Sequence, residues 1–394
     1  MMSRRSYGYG SYGRRSYGSG SYYRGKNRGH KKAAAAVMIA VLLCIAGVGS
    51  YFFFFHNHIE KDTDKAFKQP SVSQQPPVQD TKTSSLESSA DPNKKGYFDN
   101  NVFIYDKQGY ELFYGGDDTA TAYAKAVSEI KKAVGKDVAV YNMVVPTHSV
   151  FGMPSNYLTE ASDEKANIQK IYSSYTEDVK PVDIYDTLNQ HKSEYIYFHT
   201  DNNWTGLGAY YAFNTFCDVS GNKKADINSF SKGEIKDFGG SLLMSTVTEE
   251  NPQGNPELAG NADTVIYYNI PGEYDCRLLE NGADKEKEAT LIAPFAEGAN
   301  AYSAFIWGNN PYMKITSNHQ TGKKLCIIKD SYGCALAPFT ALNYDEIYIV
   351  DPQFYDGSVI DYIKKNHFTD ILVINGIINA NTAMRTEWIY TIIG

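Results

Sequence analysis

The chain has 394 residues and a formal net charge of −7, with 42% hydrophobic and 14% aromatic side chains. That length allows one large domain or two ordinary ones, and five cysteines are too few and too scattered for a disulfide scaffold or a zinc motif. Charge is divided along the chain: residues 1–32 hold nine bases and no acid, and the rest sets all 45 acids against 29 bases, a net −16. So acidic a segment excludes nucleic acid and anionic lipid as natural partners of the folded part.

Residues 1–32 are low-complexity, repeating Ser6-Tyr7-Gly8 as Ser11-Tyr12-Gly13 and Ser16-Tyr17-Gly18 between Arg pairs. With no apolar face to bury, they read as a disordered basic tail that touches anionic headgroups, although interleaved Tyr and Arg also suit stacking on RNA bases. Residues 33–55 carry no charge over twenty-three positions, long enough to span a bilayer as a helix. The run is too extended for a cleaved signal, and Val41-Leu42-Leu43-Cys44 is a poor lipoprotein site because a bulky Leu precedes the Cys. An uncleaved single-pass anchor is expected, with the N-terminus cytoplasmic and the remainder outside the cell. Residues 56–95, rich in Ser, Thr, Gln and Pro, form a polar linker.

A folded region then covers 96–394. Val102–Tyr105 and Glu111–Tyr114 read as short strands, and Asp117-Asp118 as the cap of a helix over Thr119–Val134. Val138–Val145 is a buried-type strand, followed by a helix over Gly206–Phe216. Leu325–Ile328 is a strand, Ala335–Leu342 a helix, Glu346–Val350 a strand, Val359–Lys365 a helix and Ile371–Ile374 a strand. Alternating strands and helices predict an α/β fold with a mostly parallel sheet. Residues 238–316 break this rhythm with short Tyr- and Gly-rich runs, expected to be a β-rich insertion. Cys217, Cys276, Cys326 and Cys334 read as buried thiols with at most one bridge.

In a parallel sheet, chemistry gathers at the carboxyl ends of strands. Ser331 follows one strand and precedes a helix, which exposes its hydroxyl and aims N–H groups at a developing oxyanion. Asp201 suits the acid of a serine triad, yet the position two residues on, where a base belongs, is Asn203, and an amide nitrogen has no basic lone pair. Gly308 and Asn309 offer an N–H and an amide as oxyanion donors. His148, after a strand, and His199, two residues before Asp201, are candidates for a displaced base; His319 sits in a turn. Tyrosines number 32, and Trp204 is a candidate sugar platform. No metal or cofactor is expected.

The run Tyr197-Phe198-His199-Thr200-Asp201-Asn202-Asn203-Trp204-Thr205-Gly206, continuing to Tyr211, resembles the signature of the DHHW family. Lys329-Asp330-Ser331-Tyr332 and the stretch from Tyr344 to Asp351-Pro352 are similar to its nucleophile block. Val144-Val145-Pro146-Thr147 and Phe238-Gly239-Gly240-Ser241-Leu242 also fit, so the resemblance runs from roughly Tyr97 to the C-terminus. The family is related to SGNH hydrolases and to alginate O-acetyltransferase proteins. The resemblance implies a three-layer α/β/α sandwich and, in intact members, acetyl transfer or removal on an exported glycan through an acyl-serine. It implies Ser331 as nucleophile, Asp201 as acid, Gly308 and Asn309 as oxyanion donors, and Trp204, Tyr332, Asn202 and Gln353 against the substrate. Both signature histidines are asparagine here, Asn202 and Asn203, and Gln353 stands where an Arg often follows Asp351-Pro352. The expected role is therefore a weakened or silent member that binds cell-surface glycan or assists an acetyl-transferring membrane protein. An active esterase with a displaced base and a purely structural membrane anchor are the alternatives.

Overall fold

The computed structural model describes residues 94–394, which lie within one compact unit, Leu86–Gly394. The basic tail, the charge-free run and nearly all of the linker fall outside the described residues. No helix among the described residues is long and apolar enough to cross a membrane.

The chain enters through a small antiparallel sheet, β1 (Tyr97–Asp99), β2 (Val102–Tyr105) and β3 (Gln108–Tyr110). Asp106 and Lys107 both adopt positive φ, 50° and 63°, the conformation that closes a two-residue hairpin. This turn sets the partner strand at Gln108–Tyr110, earlier than expected, and Glu111–Tyr114 is not a strand. Helix α1 (Asp117–Val134) begins two residues before its expected start, so Asp117 and Asp118 occupy its first turn while Lys131 and Lys132 occupy its last. Both ends thus carry charge that complements the helix dipole. Its buried positions include Ala120, Tyr123, Ala124, Val127 and Ile130, one stripe at helical spacing.

The main sheet has eight strands in the order β5-β4-β13-β11-β12-β10-β8-β9. The first five, β5 (Val179–Pro181), β4 (Ala139–Val145), β13 (Asp370–Gly376), β11 (Lys324–Lys329) and β12 (Glu346–Val350), are parallel. The last three, β10 (Tyr312–Ser317), β8 (Tyr274–Leu279) and β9 (Lys287–Ala289), are antiparallel additions. The segment expected as a β-rich insertion, 238–316, thus lends three strands to the principal sheet. The pair β6 (Ser231–Phe238) and β7 (Asp263–Asn269) forms a separate two-stranded sheet.

Alternation along the strands divides the core by face. Met143, Val145, Leu325, Ile327, Leu372 and Ile374 meet helices α3 (Gly206–Ser220) and α4 (Tyr332–Thr340) on one side. Val140, Val144, Cys326, Ile328, Ile371 and Val373 meet α1, α2 (Glu164–Ser173), α5 (Val359–Lys365) and α6 (Ala383–Ile393) on the other. Sequence reading did not foresee α2 or α6. The four cysteines are buried free thiols.

Candidate functional site

Ser331 follows β11, a central strand flanked by β13 and β12, and opens α4. Its neighbours hold it rigidly. Asp330 accepts from the backbone of Tyr332 (3.1 Å) and Gly376 (2.8 Å) and from the Asn379 amide (2.8 Å). Tyr302 donates its hydroxyl to the Ser331 carbonyl at 3.0 Å. Among the described residues the Ser331 hydroxyl itself has no hydrogen-bond partner. The helix start is less open to an oxyanion than expected, because Asp330 already engages the N–H groups of both Tyr332 and Gly333.

The second wall is the loop ahead of α3. Tyr197 and Trp204 form a β-bridge, and the loop between them is clamped by buried Asp263. That carboxylate accepts from the N–H of His199 (2.9 Å), the N–H of Thr200 (2.7 Å), the Thr200 hydroxyl (2.5 Å) and the Tyr195 hydroxyl. Two bonds then dock the loop on the Ser331 turn. The Trp204 indole donates to the Tyr332 carbonyl at 2.9 Å, and the Tyr332 hydroxyl donates to the Asn202 carbonyl at 2.7 Å. Asp201, Asn202 and Asn203 are thereby brought to the residue next to Ser331.

Within the loop, Asp201 Oδ1 accepts from the Asn203 backbone (2.9 Å) and side-chain amide (2.7 Å), while Oδ2 accepts from Ser241 N–H (2.7 Å). The carboxylate fixes the rotamer of the amide, since only Nδ2 can donate to it. Asn203 Oδ1 is left buried with no partner. Gly240 makes room for this arrangement, because a Cβ there would sit 2.3 Å from the Asp201 Cβ.

Sequence reading missed two carboxyl groups here. Glu111, carried past the loop by the Gly109 N–H to His199 O bond, is raised by burial; the Asn202 amide it accepts from works against this, and Asp201 adds to it. Glu164 is pushed up to about 7, mainly by burial. It accepts from the Thr147 N–H at 2.8 Å and hydroxyl at 2.6 Å. Neither had a motif to announce it, since each reaches the region only through tertiary packing.

Beneath Ser331 lies a buried charged cluster. Lys329 donates to Asn309 Oδ1 at 2.7 Å and approaches Asp351 at 3.5 Å; Arg385 approaches Asp351 at 3.6 Å. Burial opposes the Lys329 charge, yet Cys334, Asp351 and Asp330 outweigh it and hold the ammonium above its usual range. Arg385 comes from the unforeseen C-terminal helix.

Several expected roles need correction. Trp204 is fully buried and serves as wall rather than sugar platform. Tyr332 is also buried, with its hydroxyl engaged by Asn202. The Gly308 N–H is bonded to the Phe305 carbonyl at 3.0 Å and is not a free oxyanion donor. Asn309 is exposed, and its amide N–H groups have no partner among the described residues. Gln353 is exposed, with its backbone N–H on Asp351.

His148 stacks on Tyr197 (centroids 5.2 Å) and against Tyr110 (4.8 Å), with Nδ1 buried and unpartnered. Burial, with a contribution from His199, lowers its pKa to about 3, and it makes no hydrogen bond to Ser331. His199 turns its Nδ1 toward Asn261 (3.3 Å) and Asp263 (3.7 Å). His319 bonds the Ala341 carbonyl at 3.0 Å. Among the described residues no group of three or more His, Cys, Asp or Glu could hold a metal ion.

Comparisons with known proteins agree with this architecture. The chain is similar to a DHHW family protein from Eubacterium siraeum, with 30% identity, a TM-score of 0.69, and coverage of 76% of this chain and 98% of that one. Two structures of Bacillus cereus PatB1, one with a sulfonyl adduct, share the fold at 16% identity and a TM-score of 0.59, covering 74% of this chain and 98% or 99% of PatB1. No curated protein is significantly similar in sequence. The family description "DHHW protein" matches residues 72–350, well over half the chain, and so the protein belongs to the DHHW family.

Proposed function

We propose that this protein is a membrane-anchored, extracytoplasmic member of the DHHW family whose acyl-transfer frame has lost its base, and which binds cell-surface glycan or assists its acetylation. Ser331 holds the nucleophile position, Asp201 the acid position, and Asn202 and Asn203 stand where the family signature has histidines. The supporting observation is the Asn203 amide, which donates to Asp201 as an imidazole N–H would. On its far side it presents only a carbonyl oxygen. That oxygen can accept a hydrogen bond from a hydroxyl but cannot take its proton. Loss of one triad member typically costs on the order of a million-fold in rate, which leaves binding as the main surviving capacity. The rival, an active esterase with a displaced base, would need His148 or His199; His148 is packed between Tyr110 and Tyr197 without a bond to Ser331, and His199 turns to Asn261 and Asp263. The test incubates the full-length protein with an activated acetyl ester. Turnover no faster than that of Ser331→Ala supports the reading; turnover abolished by Ser331→Ala sinks it.

A further inference from the structure

Phe295 is 65% exposed, more than any other large hydrophobic residue described. Its ring meets half-buried Trp307 edge to face, with centroids 4.9 Å apart and planes at 68°. The pair is rigidly mounted. Trp307 donates its indole N–H to the Thr290 carbonyl at 3.1 Å, and Lys287 lies 4.2 Å from its ring centroid while pairing with Glu280 at 2.6 Å.

The backbone beneath is strained. Ile306, Trp307 and Gly308 take φ of 47°, 65° and 79° in succession, and a β-branched residue in the left-handed region is a genuine outlier. Burial of Ile306, its N–H on Leu291 O (3.0 Å) and the Asn310 amide on Trp307 O (2.9 Å) hold the conformation. Strain retained in this way marks segments whose side-chain placement matters.

The same segment leads to the candidate site. Asn309 is two residues beyond Trp307, within about 7 Å along the chain. Its Oδ1 is fixed by Lys329 at 2.7 Å and Cys334 at 3.3 Å, so its N–H groups are turned away from that cluster. Lys329 in turn is two residues from Ser331. Asn309 thus joins the segment that carries the aromatic pair to the strand that leads into Ser331.

We propose that the Phe295–Trp307 shelf, together with the Asn309 amide, is a carbohydrate subsite that guides an uncharged pyranose chain past Ser331. A pyranose ring has an apolar C–H face and a rim of hydroxyls, matching aromatic rings beside polar groups. A two-ring patch bordered by the Lys287–Glu280 ion pair is too small and too polar at its border for a stable protein interface. The net −16 of residues 33–394 disfavours an anionic polymer. This rests on the glycan-binding side of the proposed function.

The experiment titrates the full-length protein in detergent with cellohexaose and with chitohexaose, following binding calorimetrically. Saturable binding of either chain is expected, weakened about two- to tenfold by Phe295→Ala and again by Trp307→Ala. Phe295→Ala alone decides if Trp307→Ala misfolds, because its side chain is largely in solvent. Wild-type binding unchanged by Phe295→Ala would overturn the subsite while leaving glycan binding standing. Absence of binding to both chains would also overturn it; the acyl-transfer frame is then judged separately, by the Asn203→His variant described below.

Discussion

The side-chain amide of Asn203 donates to Asp201 across 2.7 Å and leaves its own oxygen buried without a partner. The Asp201 carboxylate is satisfied by Asn203 and the Ser241 N–H, and the Asn203 oxygen remains an acceptor that cannot take up a proton.

On the proposed reading, an imidazole at position 203 should confer turnover. In Asn203→His an imidazole N–H can replace the amide on Asp201, with the other nitrogen turned away from the carboxylate. General-base assistance is worth about a hundred- to ten-thousand-fold, so ester hydrolysis should rise visibly above the parent and disappear again in Asn203→His/Ser331→Ala. Asn202→His alone should change little. A folded but inert Asn203→His would count against the acyl-transfer frame.

The gain should depend on Gly240. A Cβ at that position would lie 2.3 Å from the Asp201 Cβ and 2.8 Å from its Cα, which forces the acid out of place. Adding Gly240→Ala to Asn203→His should remove at least about tenfold of the recovered rate, since misplacement of about 1 Å can cost a hundredfold. Equal rates with and without Gly240→Ala would show that Asp201 does not orient the imidazole.

Asp263 should be the chief staple of the Asp201 loop. Asp263→Ala leaves the His199 and Thr200 N–H groups and the Tyr195 hydroxyl without this acceptor, while the Thr200 hydroxyl keeps the Phe238 carbonyl at 3.2 Å. Each buried donor left unmade costs about 1–3 kcal/mol, so a loss of roughly 3 kcal/mol or more is expected in denaturant unfolding. A change below about 1 kcal/mol would mean that water replaces the carboxylate.

Two buried groups should give stability opposite pH slopes. His148 titrates near 3 in the fold against 6.5 unfolded, so the unfolded chain holds the extra proton between those values, and stability falls as pH drops through that window. Glu164 titrates near 7 in the fold against 4.5, so the folded chain holds the extra proton, and its contribution is lost as pH rises from 4.5 to 7. Relative to wild type, His148→Phe should gain stability as pH falls from 6.5 toward 4, and Glu164→Gln as pH rises from 4.5 to 7. Urea midpoints across that range measure both, and curves parallel to wild type would contradict the burial of these groups.

Strands and helices with strong local patterns were legible in the chain. Val102–Tyr105, Glu346–Val350 and Val359–Lys365 have the predicted ends, and Ser331 has the strand-turn-helix setting expected of it. Apolar periodicity and charged helix ends act within a few residues, so local sequence carries them. The DHHW relationship was legible for a similar reason, because its signature is a short contiguous run. Long-range placement was not. Three strands of 238–316 joined the main sheet because its β12 edge offered unpaired backbone groups, a partner that their own residues do not name. Trp204 looked like a platform by residue type and became a wall because the Tyr332 carbonyl lay within reach of its indole. Glu111, Glu164 and Arg385 reached the region from distant segments. The sequence by itself determined which residues could do chemistry and that position 203 carries an amide rather than an imidazole. Only the tertiary structure decided which groups face one another, because hydrogen bonding and burial depend on neighbours that are remote along the chain.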